Sequence, residues 1–229
     1  MPPESPGLAA RPLGARPLDF LMPLRAETDA ASNPAGSGQR MRIVLWMLLG
    51  SASFGAALGI YGHHPLQMLA SAIKVPVLLI LTGALCFPSF HVLQALRAPD
   101  PRPLGEVLDL QARALGAMGV VWGALAPPLA VIIATTGHYT MAKLLAVLVG
   151  AVGGFFGLAR LAAGWQGATG PTRLGLPVGL ALYLATFGVV GAQLSWLMRP
   201  FLGSPSLEFQ LFRDFHGDFF GHLWRILLG

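Results

Sequence analysis

The chain reads as an all-α polytopic membrane protein with about five transmembrane helices, and three observations predict this. Five apolar stretches long enough to cross a bilayer lie between Arg42 and Arg199, and nearly every charged residue falls between them. Hydrophobic residues make up 54% of the 229 and charged residues only 11%, against about 25% charged in an ordinary soluble domain. A soluble fold of that composition would lack the charges to coat its core. Lipid offers backbone polar groups no partner outside their own segment, so apolar spans of this length must be helical.

Residues 1–40 contain seven prolines among Gly, Ala, Ser and mixed charges. Such a segment cannot bury enough surface to fold, so a disordered tail is expected there. It lacks the apolar core of a secretory signal. One apolar island, Leu18 to Leu24, interrupts it.

Residues 41–198 form the membrane domain. Span one, Ile43 to Tyr61, enters through Arg40 and Arg42 and carries Ser51, Gly55 and Gly59 at four-residue spacing. That stripe of small residues lets another helix approach closely. The segment from Gly62 to Ile73 is interrupted by two histidines and a proline, and an interfacial position is expected for it. Span two then runs from Lys74 to Leu93. Pro76 falls in its first turn, where a missing N–H costs little, and Pro88 predicts a kink.

From Arg97 to Gln111 runs the one substantial internal loop, opened by prolines. Leu104, Val107, Leu108, Gln111 and Leu115 then recur at helical spacing, which predicts a short amphipathic lead-in to span three, Ala114 to Thr136. Pro127-Pro128 is expected to break the hydrogen-bond ladder of that span near its middle. A tight turn at Thr136 to Thr140 makes spans three and four a hairpin. Span four, Met141 to Leu161, carries Gly150-xxx-Gly154 and Gly153-xxx-Gly157, so Gly150, Gly154 and Gly157 are expected to pack against another helix. Trp165 to Arg173 is a polar loop. Span five, Leu174 to Met198, begins with Gly175-xxx-Gly179 and has Gln193 as its one strongly polar interior residue.

Residues 199–229 form an extramembrane tail. After the turn from Arg199 to Pro205, residues Phe212, Phe215, Phe219, Leu223 and Ile226 recur at steps of three and four. Asp214, Asp218, His222 and Arg225 fall on the opposite face. This predicts an amphipathic helix lying in the membrane interface, with Phe212, Phe219 and Leu223 as candidate contacts to lipid or a partner.

Five spans put the termini on opposite sides. With the N-terminus inside, ten basic residues fall inside and five outside, so the positive-inside rule predicts an inner N-terminus and an outer C-terminus.

Little in the sequence carries chemistry. The net charge of +5 comes from scattered residues that flank apolar runs, without the basic stripe that binds nucleic acid. One cysteine, Cys86, permits no disulfide within the chain. His63 and His64 are adjacent, so their side chains point apart, and no third ligand lies near. No HExxH, GxSxG or P-loop motif occurs. Every Asp and Glu lies outside the spans, whereas proton and ion pumps need ionisable groups within the bilayer. No enzyme, cofactor or metal site is expected. Lys74 and Arg199 stand apart, each at a predicted span boundary beside a proline. They are expected to snorkel to lipid phosphates, or to anchor the interfacial segments or an anionic headgroup.

Two stretches carry a resemblance. Ala70 to Leu79 (ASAIKVPVLL), followed by Phe87-Pro88-Ser89-Phe90, resembles a family of uncharacterised multi-pass bacterial membrane proteins. Trp196-xx-Arg199-Pro200-Phe201-x-Gly203-x-Pro205, followed by Phe209 and Leu211-Phe212-Arg213, resembles the tail of the same family. The similarity covers roughly 51–219 and implies residence in a bacterial cytoplasmic membrane, without supplying an activity. Five spans after a Pro-rich tail are also similar in architecture to the Yip-type proteins of the eukaryotic secretory pathway. Packing and interface features without intramembrane charge point to a non-enzymatic scaffold or accessory subunit, touching lipid and either a protein partner or a second copy. The alternative is a small transporter or channel with a site near Pro127-Pro128.

Overall fold

The computed structural model describes residues 37–62, 64–95, 103–135, 137–169 and 178–203, together with Leu211 and Gly221. Five α-helices carry the described chain: α1 (Ser37–Gly59), α2 (Pro65–Ala95), α3 (Leu104–Thr135), α4 (Tyr139–Thr169) and α5 (Val178–Leu197), with a turn of 3-10 helix at Ile60–Gly62. All five are long and apolar enough to cross a bilayer. The expected tail over 1–40 lies outside the described residues except for its last four. The interfacial helix, with Phe212, Phe219 and Leu223, also lies outside them.

Three helices make the centre. α1 packs against both α2 and α3, α4 packs on the far side of α3, and α5 packs on α2. Contacts set the directions. Gly55 lies on Ser71 and Gly59 on Met68, so α1 and α2 run antiparallel. Gly116, Gly119 and Gly123 of α3 meet Ile43, Met47 and Gly50 in ascending order, so α1 and α3 run parallel. Phe90 packs at a tilt against Tyr183 and Thr82 lies by Gly191, which makes α5 antiparallel to α2.

At the α1–α3 seam two helical backbones come into direct contact. A Cβ on Gly50 would fall on the Gly119 carbonyl, and one on Gly123 would meet the Gly50 backbone. Around this seam Met47, Phe54, Met118, Trp122, Leu129 and Ile133 form one buried cluster, with Phe54 and Trp122 stacked at 5.2 Å. A second cluster gathers Cys86, Phe90, Val107, Leu110, Leu161, Leu180 and Tyr183 from α2, α3, α4 and α5.

Several expectations need correction. The segment from Pro65 to Ile73 is not separate from span two: it forms the first turns of α2, which runs on through Pro76 and Pro88. Pro65 is the first residue of that helix, where its fixed φ suits a start and its missing N–H is no loss. The His64 carbonyl accepts from the amides of Gln67 and Met68 and closes the first turn. Likewise the lead-in at Leu104 is continuous with span three, and the helix runs through Pro127 and Pro128, both exposed. In lipid an irregular backbone has no water to bond, so a helix carries on through a proline where the same sequence in water would break.

Candidate functional site: a polar clamp on the chain that follows α5

Gln67, Ser71 and Lys74 stand at i, i+4 and i+7 of α2, which puts them on one face of the helix. All three are buried, Lys74 with only 6% of its surface exposed. Lys74 follows the start of α2 by nine residues, about 14 Å at the helical rise. It is buried in the bundle, and its ammonium turns onto the chain after α5 instead of outward.

What the three side chains hold is backbone. α5 ends at Leu197 with a last bond from the Met198 amide to the Leu194 carbonyl. Beyond it the Arg199–Pro200 peptide is cis, and the carbonyls that follow have no helical donor. Gln67 Nε2 donates to the Pro200 carbonyl at 3.0 Å and to that of Phe201 at 3.3 Å. Ser71 Oγ donates to the Phe201 carbonyl at 2.7 Å and receives Gln67 Nε2 at 3.3 Å. Lys74 Nζ donates to the Pro200 carbonyl at 3.2 Å and also to that of Leu211. The ammonium thus ties two points eleven positions apart. Phe201 and Leu202, meanwhile, pack on the buried cluster of the α1–α3 seam.

Non-helical chain among apolar helices is tolerated only where protein donors replace water. A buried ammonium is costly unless fully hydrogen-bonded, and carbonyl oxygens are suitable acceptors for it. Its position beside the end of α5 adds a favourable term, because the C-terminal end of a helix carries partial negative charge. Arg199 reinforces the same end. Its guanidinium lies 3.2 Å over the Trp196 ring, and Nε donates to the Trp196 carbonyl at 3.0 Å. It is folded back on α5 instead of reaching outward.

Three further buried polar side chains also donate to helix carbonyls, while Gln111 Oε1 and His91 Nδ1 are buried without a hydrogen-bond partner among the described residues. Ser51 Oγ donates to the Met47 carbonyl, Thr82 to that of Leu78, and Gln111 Nε2 to that of Gly83 on the neighbouring helix at 2.6 Å. All six buried polar side chains among the described residues therefore donate to backbone carbonyls. No three His, Cys, Asp or Glu side chains converge among those residues.

The glycines divide. Gly55 and Gly59 of α1 lie against α2, and Gly157 of α4 against Met118 and the Ala114 carbonyl of α3. Gly150 and Gly154 do not make the close contact expected: a Cβ on either would meet open space. Gly150 touches α3 through its carbonyl, which accepts from Trp122 Nε1 at 3.3 Å, and Gly153 takes the place against Trp122. The physical reason is the helical turn, since Gly150-xxx-Gly154 and Gly153-xxx-Gly157 overlap in sequence but face different ways. Sequence reasoning missed Gly50, Gly119 and Gly123, and it missed Gln67 and Ser71. The spacing Gln67-xxx-Ser71-xx-Lys74 in an apolar run was the available signal for the last two.

Fold and site together define a polytopic α-helical membrane protein whose chain after α5 is fastened to α2. The two motifs Ser71-Ala72-Ile73-Lys74-Val75-Pro76 and Arg199-Pro200-Phe201-x-Gly203, far apart in sequence, are the two halves of this clamp. No family model matches the chain, and no characterised protein or solved structure is significantly similar to it.

Proposed function

We propose that the protein is a non-enzymatic scaffold or accessory subunit of a membrane assembly, and that it presents its C-terminal segment to a partner from a rigid helical base. The observation that carries this reading is the use of polarity in the bundle. Among the described residues all six buried polar side chains donate to backbone carbonyls, and three of them hold the chain that leads into the C-terminal segment. A segment held in place loses less entropy on binding than a free one. The membrane is the bacterial cytoplasmic membrane in this reading, on the resemblance of the two clamp motifs, with the N-terminus inside. Arg40, Arg42, Arg113 and Arg160 all fall toward the end where α1 and α3 begin, in keeping with the positive-inside rule.

Affinity purification in mild detergent tests the role. A defined partner should co-purify with the wild-type chain and be lost from Lys74→Met while the five helices remain folded. Absence of any partner, or capture unaffected by Lys74→Met, counts against it. For orientation, cysteines placed at Ser37 and Ser206 in a Cys86→Ala background should label from opposite sides of intact cells.

A further inference from the structure

We propose that Arg113 and Arg160 form a binding site for the phosphate of an anionic phospholipid at the α3–α4 seam. The register of the seam places them together. Gly164 lies against Leu110, and Gly157 against Ala114 and Met118. In this antiparallel pair Arg113 of α3 is therefore level with Arg160 of α4. Arg113 lies about 100° round α3 from Ala114, and Arg160 about 60° round α4 from Gly157, in the sense that puts both on the same side of the seam. Both are half-buried, which suits an arginine at a membrane boundary, where the stem lies on apolar surface and the head seeks polar partners.

Depth supports a lipid as the occupant. Arg113 precedes the end of α3 at Thr135 by 22 positions, and Arg160 follows the start of α4 at Tyr139 by 21. At the helical rise these are about 32 Å, close to the hydrocarbon thickness of a bilayer. With the α3–α4 turn at one surface, both guanidinium groups reach the phosphate level of the opposite leaflet. Phe156, four residues before Arg160, and Val120, seven after Arg113, are exposed on the same side and extend from the arginines toward the bilayer centre. Acyl chains would lie along them.

The surrounding charges are mixed. Asp109 is occupied by Arg40 at 2.8 Å, while Glu106 is exposed two turns before Arg113. Arginine binds phosphate through a planar fork that lysine lacks, and basic pockets between transmembrane helices are a recurring way to hold an anionic headgroup.

Thermal unfolding of the purified full chain in mild detergent tests the site. Added phosphatidylglycerol should raise the midpoint by about 3–5 °C near saturation, whereas phosphatidylcholine at the same mole fraction and inorganic phosphate should not. The pair Arg113→Gln with Arg160→Gln should abolish the shift, and Arg42→Gln should leave it. Native mass spectrometry of the single variant Arg160→Gln should show reduced retention of phosphatidylglycerol, which keeps the test decisive if the double variant folds poorly. An equal shift with phosphatidylcholine, or a shift that survives loss of both arginines, overturns the proposal. A shift with inorganic phosphate alone would identify a free anion as the ligand and overturn it also.

Discussion

Along the α1–α3 seam, Gly50, Gly119 and Gly123 let two helical backbones touch, and the contact around them is apolar. At the clamp, Gln67, Ser71 and Lys74 reach across to backbone that is not helical, and the contact is made of hydrogen bonds. The difference follows from what each partner needs. A helix has satisfied its own backbone and asks only for a shape that fits, which glycine supplies. Chain beyond a helix end carries orphaned carbonyls and asks for donors. In this bundle a buried cation therefore marks where a helix stops, and a buried glycine marks where two helices meet.

The largest effect should come from breaking the dry seam. Gly50→Leu drives a side chain into the Gly119 backbone, which cannot give way as a flexible side chain can. Overpacking in a core commonly costs about 1–3 kcal/mol, and a backbone clash should cost about 3 kcal/mol or more. Loss of monodisperse protein in detergent would register it. A Gly50→Leu variant with an unchanged melting temperature would mean that the seam is looser than described.

The clamp comes second. Lys74→Met removes the charged donor from the Leu211 carbonyl and leaves the Pro200 carbonyl with Gln67 alone, at about 2–3 kcal/mol, in the range of hydrogen bonds to charged groups. The helices should survive while the chain after α5 becomes sensitive to protease. Ser71→Ala removes one neutral donor from a carbonyl and should cost about 1 kcal/mol by denaturant titration in mixed micelles. A cost for Ser71→Ala equal to that of Lys74→Met would remove the special weight given to the cation.

α4 offers the smallest effect and sharpens the comparison within one helix. Gly154→Leu points into open space and should change monomer stability by no more than about 0.5 kcal/mol. Gly157→Leu meets Met118 and the Ala114 carbonyl and should cost several times as much. Thermal scans of the two side by side would separate them.

The spans themselves were legible because length and hydropathy report directly on lipid: the five predicted spans correspond to the five helices. Ends were less legible. His63, His64 and Pro65 read as an interruption, yet Pro65 begins α2, because a proline signals a start or a stop depending on which side the helix lies. The glycine pattern on α4 named the right helix and only part of the right face, since two overlapping small-residue stripes cannot be told apart without a neighbour. The clamp was half visible. Lys74 and Arg199 stood out as charges beside prolines, but the acceptors of Lys74 are main-chain carbonyls of Pro200 and Leu211, and a carbonyl leaves no mark in a sequence.

The central claim is that Lys74 seats the chain after α5 against the bundle. It is tested most directly by a cysteine at Leu202, placed in a Cys86→Ala background and labelled with a membrane-impermeant maleimide. Leu202 packs on the core cluster beside carbonyls that Gln67, Ser71 and Lys74 hold. With Lys74 intact, labelling of Leu202→Cys in detergent should be slow, and adding Lys74→Met should speed it by an order of magnitude or more, as expected from about 1.4 kcal/mol per tenfold change. Fast labelling with Lys74 in place, or a rate that Lys74→Met leaves unchanged, would contradict the account.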